Sequence, residues 1–288
     1  MKTNILKFTI LSSSLALLSS CGGDKPKEGE AIDTTVVQET VDTAKGPIDE
    51  LADFKFHVFI ANIPSPLETM VLIPDAGISL DKTTLNPVEN ADGYSSINKK
   101  ALNYGVYGAD LGYLTAFEQN QDITDYFATL KSLAEDLGAG GQFDKVLNER
   151  FQKNLENKDS LLAIMDNAFS QTDTYLRNNQ RLESATLMLT GSWVESQYIL
   201  VRALIEANGK GDLVKLYEKI TEQKSHLKSL IDLLMEQKTN DCTKYKTELE
   251  KVKVSYDAIE NIDAIDEVKL EKLSAELKIV KEMITGKK

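Results

Sequence analysis

The stretch Ile97 to Glu118, INKKALNYGVYGADLGYLTAFE, is apolar nearly all the way round once its first turn is passed. Read at helical period it has no clean polar face, and a helix of that kind has to be covered by other elements. At 100° per residue, Ala101, Gly105, Ala109, Gly112 and Ala116 fall on one narrow stripe, with Gly108 beside it. A helical glycine costs roughly 1 kcal/mol relative to alanine, so a run of them implies that another backbone comes close to the stripe. On the opposite side Asn103, Tyr107 and Asp110 are interleaved with Val106, Leu114 and Phe117. A carboxylate there is expected to be either paired or functional.

A second stretch shares this character. Leu182 to Ala207 reads as a helix ending at Asn208-Gly209, and between Ser184 and Val201 its one charge is Glu195. Leu182, Leu189, Trp193, Leu200 and Leu204 form one stripe, while Ser184, Gly191, Glu195, Tyr198 and Arg202 form the other side. It is the natural partner of the first helix. Between them the two helices carry a polar set, Asn103, Tyr107, Asp110, Tyr113, Glu195, Tyr198 and Arg202, which makes these the candidate ligand-binding residues. Two carboxylates and a guanidinium in low dielectric shift one another's pKa and could clamp a polar ligand or run acid–base chemistry. The competing reading, which the residues favour, is a buried ion network that fixes helix register, with Arg202 pairing Asp110 or Glu195. No catalytic residue is assigned.

The rest of the chain after Gln119 is helix upon helix: Thr124 to Leu137 capped by Gly138, Phe143 to Asn157, and Ser160 to Asn179. Upstream, Ser65, Pro66 and Glu68 form a capping box opening a short helix through Leu72 that Pro74 should stop. A second short turn covers Ser79 to Asn86 and closes at Asn86-Pro87. Beyond Asp212 three charged helices carry apolar seams at 3/4 spacing. The seams are Leu213, Tyr217, Ile220, Leu227, Ile231 and Leu234; Cys242, Tyr245, Leu249, Val252, Tyr256 and Ile259; and Leu270, Leu273, Leu277, Val280 and Ile284. Short connections such as Thr239-Asn240-Asp241 favour an intramolecular antiparallel packing. Cys242 lies on its seam and is expected to be buried.

The N-terminus is of another kind. MKTNILKFTILSSSLALLSSC combines two lysines with a short, interrupted apolar run and a Leu-Ser-Ser-Cys ending, the pattern of a bacterial lipoprotein signal with Cys21 as the lipidated first residue of the mature chain. Acyl chains contribute roughly 0.8 kcal/mol per buried CH₂ and anchor a protein without any spanning helix. From Gly22 to about Gly46 the chain is polar and acidic, too poor in apolar residues to offset its ordering entropy, so a flexible stalk is expected. Asp53 to Ala61 alternates Phe54, Phe56, Val58 and Ile60 with polar residues and reads as an extended segment. Lys2 and Lys7 leave with the signal, so the formal charge of −12 becomes −14 and nucleic acid is excluded as a partner.

Motifs for bound groups are lacking. Gly138-Ala139-Gly140-Gly141 follows a helix and has no Lys-Ser/Thr, so it is a helix cap and not a phosphate loop. With His57 and His226 the sole histidines and no metal-ligand spacing, neither metal nor cofactor is expected. Three motifs carry a resemblance: Ile63-Pro64-Ser65-Pro66 followed by Glu68, Asn103-Tyr-Gly-Val-Tyr-Gly-Ala-Asp110-Leu-Gly-Tyr113, and Gly191-Ser-Trp193-Val-Glu195 followed by Tyr198. Together, over Ile63 to Arg202, the chain resembles a family of helical lipoproteins of the Bacteroidetes, with Ser196 keeping a small residue after the glutamate and Gln197 standing where an apolar one is usual. The resemblance implies an envelope location and a helical fold, and brings no activity with it.

The expected molecule is an all-α, elongated antiparallel multi-helix bundle with a short extended N-terminal segment. Residues 1–20 form the signal peptide, 21–47 the lipidated cysteine and linker, 48–208 a central helical domain, and 209–288 a C-terminal three-helix bundle packed on it. Its expected place is the outer membrane, lipid-anchored on the periplasmic or surface face, with the membrane and an envelope protein as partners. The expected role is a non-enzymatic binding or scaffold module, the alternative being an enzyme or small-ligand receptor centred on the Asp110, Glu195 and Arg202 cluster.

Overall fold

The computed structural model describes residues 66–286, which belong to one compact unit. The extended segment over Asp53 to Ala61, the linker, the lipidation site at Cys21 and the cap at Ser65 lie outside the described residues. Within them the fold is all-α, with ten helices and no strand. In chain order these are α1 (Pro66–Met70), α2 (Leu72–Asp75), α3 (Ile97–Ala116), α4 (Asn120–Asp136), α5 (Lys145–Lys153), α6 (Lys158–Asn178), α7 (Leu182–Ala207), α8 (Val214–Gln237), α9 (Asn240–Asp257) and α10 (Glu267–Thr285). Short 3₁₀ turns at Lys82–Thr84 and Val88–Gly93 lead from α2 to α3.

The helix α3 starts where Ser96 Oγ accepts the Lys99 amide at 3.2 Å, and every residue from Ala101 to Ala116 is buried. Its main partner is α7, itself buried continuously from Ser184 to Gln197. The glycines permit that contact. A Cβ on Gly105 would drive into the Met188 carbonyl oxygen and the Ser192 amide of α7, and a Cβ on Gly191 into the Leu102 carbonyl of α3. The rest of the small-residue stripe faces other things: Gly112 meets the Leu67 side chain of α1, and Gly108 the Phe169 ring of α6 at 3.4 Å.

Within the bundle the central pair runs parallel. Asn98 of α3 donates to Glu183 of α7 at 3.1 Å, and Asp110 meets Glu195 twelve residues further along both helices. Parallel neighbours align their macrodipoles unfavourably, and α10 offsets this by running the other way. Lys99, in the first turn of α3, donates to the Met283 and Ile284 carbonyls at the C-terminal end of α10. One side of α3 is covered by α4 and α6, while α8 and α10 cover α7 and α9 closes over α8 and α10. The three seams written in the sequence form that second layer, with Cys242 fully buried.

Several boundaries differ from the sequence reading, and α4 begins at Asn120, four residues before Thr124. Pro74 does not stop a helix: the break comes at Val71, and Pro74 sits inside the four-residue α2, where its missing N–H is not needed. The segment Phe143 to Asn157 is helical only over Lys145–Lys153, because the Asp144 carboxylate caps α5 by accepting the Leu147 amide at 2.8 Å.

Candidate functional site

Asp110 and Glu195, both fully buried, meet where α3 and α7 pack together. The two carboxyl groups lie close enough for the charge of one to shift the other, an arrangement that favours a proton held between them. Apart from that shared proton, Asp110 Oδ1 and Glu195 Oε2 have no donor. Burial foremost, and then the charge of Glu195, hold the Asp110 carboxyl well above the usual carboxylate range, against a smaller opposing pull from Lys281. Asp110 therefore carries the proton, and its Oδ2 accepts the Asn86 backbone amide at 3.1 Å.

The counter-charge is Lys281, not Arg202. Lys281 projects inward from α10 with 7 % of its surface exposed, and its ammonium donates to Glu195 Oε1 and to the Thr84 carbonyl. It also lies over the Tyr198 ring, 4.7 Å from the centroid, a cation–π contact that adds to the stabilisation of a desolvated ammonium. Arg202 is half-buried and makes no ion pair among the described residues. The expected pairing of Arg202 with Asp110 or Glu195 is thus corrected: two turns along α7 from Glu195, the guanidinium is too far along the helix, while the seam of α10 delivers a lysine directly.

Asn86 is the second residue that the sequence reading passed over. Read only as the end of a turn before Pro87, it is fully buried and bonded through every polar group. Its amide goes to Asp110, its Nδ2 donates to the Tyr94 hydroxyl at 2.9 Å and to Asn103 Oδ1 at 3.4 Å, its Oδ1 accepts from Asn90, and its carbonyl accepts the Tyr126 hydroxyl at 3.0 Å. Asn103 in turn donates to the Lys99 and Ile284 carbonyls. Tyr107 donates to the Pro87 carbonyl at 2.8 Å. The ring of phenols around the acid pair is buried, and burial above all raises the Tyr94, Tyr107 and Tyr126 hydroxyls beyond their ordinary range, so they act as neutral donors.

Of the expected set, then, Asn103, Tyr107, Asp110, Glu195 and Tyr198 come together, with Lys281 and Asn86 added and Arg202 left out. Tyr113 belongs to a neighbouring layer, where its hydroxyl accepts the Asp81 amide at 3.1 Å. Lys281 could have been found: it stands four residues after Leu277 and three before Ile284, on the apolar side of α10. Gln197, the departure from the resembled pattern, is explained by Tyr256, whose hydroxyl donates to its Oε1 at 2.9 Å.

No protein-family model, curated protein or solved structure matches the chain.

With one proton on the acid pair and one ammonium facing it, the cluster is neutral. Among the described residues no three His, Cys, Asp or Glu side chains gather where they could hold a metal ion, and no helix is long and apolar enough to cross a membrane.

Proposed function

We propose that the protein is a lipid-anchored component of the cell envelope that acts as a non-enzymatic binding or scaffold module. The single observation that carries this reading is the closure of the Asp110–Glu195–Lys281 set: each charge is met by an opposite charge or a proton from within the fold. A catalytic pair has to present at least one of its groups to a reactant, and here both carboxyls are fully buried, with one oxygen of Asp110 taken by the Asn86 amide and one of Glu195 by Lys281. Such a set fixes which helices meet and at what register. The basic, apolar and Leu-Ser-Ser-Cys21 pattern of the first 21 residues supports an acyl anchor on a body of this kind, on the periplasmic or surface face of the outer membrane.

Complementation of a deletion strain separates the readings. Asp110→Asn keeps the shape and supplies an N–H where the shared proton lies, so a structural network predicts a folded, membrane-associated protein that complements fully. Cys21→Ser should appear in the soluble fraction, unlabelled by palmitate. Were Asp110→Asn to melt like the parent and yet fail to complement, the buried cluster would be a working site and the scaffold reading would be wrong.

A further inference from the structure

At the end of the molecule where the first turn of α3 meets the last turn of α10 lies a recess of about 460 Å³, a volume within the roughly 300–1,000 Å³ of small-molecule sites. It is separate from the buried acid pair, and its occupancy does not depend on how the protein is anchored or on the scaffold reading. Its lining includes Glu89, Asn90, Tyr94, Ser95, Lys99 and Thr285. Tyr94 is 7 % exposed and accepts a hydrogen bond from the buried Asn86, so this part of the recess is fixed to the core and pre-organised.

The two charges of the recess are not used on each other. Glu89 is exposed and forms no ion pair among the described residues. Lys99 is half-buried; its ammonium gives two of its three protons to the Met283 and Ile284 carbonyls and keeps one N–H. Asn90 donates its Nδ2 to Asn86 at 2.7 Å, and among the described residues its own Oδ1 is unused and the exposed Ser95 hydroxyl has no partner. A simple anion meets Glu89 as well as Lys99, and a simple cation meets Lys99 as well as Glu89. A molecule carrying both charges satisfies both.

We infer that this recess binds a small zwitterion, a free α-amino acid or a dipeptide, with its ammonium taken by Glu89 and Asn90 Oδ1 and its carboxylate by Lys99 and Ser95. The test is a titration of the mature full-length chain, carrying Cys21→Ser, with alanine and Ala-Ala, and in parallel with N-acetyl-Ala-Ala and Ala-Ala-amide, followed by amide NMR shifts. Saturable shifts are expected at Tyr94, Ser95, Lys99 and Thr285 with alanine or Ala-Ala. Blocking either end should weaken binding about tenfold or more, the loss of one charged contact being worth on the order of 1.4 kcal/mol. Glu89→Gln and Lys99→Met should each do the same. Lys99 also caps α10, so Lys99→Met carries a folding risk, whereas Glu89→Gln changes an exposed side chain and keeps the test sound by itself. The inference is overturned if neither alanine nor Ala-Ala saturates those shifts, if the blocked peptides bind as tightly, or if Glu89→Gln leaves binding unchanged.

Discussion

A lysine facing inward from a helix seam is tolerated only where something within the fold holds its charge, and Lys281 is held by Glu195, the Thr84 carbonyl and the Tyr198 ring. Replacing it by methionine keeps the length and removes the charge, leaving Glu195 buried with nothing but the shared proton. Lys281→Met should cost about 3–5 kcal/mol in urea unfolding. Asp110→Asn should behave in the opposite way. Because burial holds the Asp110 carboxyl protonated, its contribution is complete below its unfolded pKa, about 3.9, and is lost as pH rises toward its raised value in the fold. The asparagine has no such term. The stability of Asp110→Asn minus that of the parent should therefore climb as pH rises above about 4, by at most about 1.4 kcal/mol per pH unit. Urea melts of the two proteins from acid to neutral pH check this, and a difference flat with pH would mean that Asp110 is not held protonated. The sequence disclosed that Asp110 and Glu195 would be buried together, because each is the isolated charge in a greasy helix. It did not disclose the partner. Arg202 shares a helix with Glu195 and so suggests itself, while Lys281 lies 86 residues further along the chain and only packing brings it in.

At the scale of the element, the glycines decide whether α3 and α7 can touch. Gly105 and Gly191 each abut backbone of the opposite helix, which cannot move aside as a side chain can. Gly105→Ala and Gly191→Ala should each force the helices apart and lower stability by several kcal/mol, at the upper end of single-residue overpacking. Gly108→Ala places its methyl 3.4 Å from the Phe169 ring, an ordinary contact, and should gain up to about 1 kcal/mol from helix propensity. Thermal melts of the three variants should show this reversal of sign within one helix turn, and equal losses at Gly105 and Gly108 would contradict the close approach. The small-residue stripe announced a close neighbour but not which glycine would meet which element. That depends on where α1 and α6 arrive, and their own sequences carry only ordinary amphipathic patterns. Helix ends were legible where a cap is local, as at Asn208-Gly209, where both residues take left-handed backbone, and illegible where a short 3₁₀ turn competes, as in Gly140–Phe143.

At the scale of the whole molecule, the C-terminal helices complete the core of the central pair. α10 packs along α7, reaches α3 through Lys99 and Asn103, and carries Lys281 to the acid pair, while α8 and α9 both touch Trp193. The indole donates to Gln223 of α8 at 2.9 Å and lies 5.8 Å from the Tyr256 ring of α9. The seams beyond Asp212 made those helices legible as a bundle; that their inner faces would close over α7 was not written in them, since a heptad seam does not name its partner. The described helices form one cooperative body built on a close parallel pair. Trp193, the protein's single tryptophan, stands at the junction and reports on it. Urea unfolding followed by Trp193 fluorescence and by far-UV circular dichroism should give coincident transitions with one midpoint. If the fluorescence transition is complete while a large part of the helical signal remains, the C-terminal helices and the central pair are separate units and the claim fails.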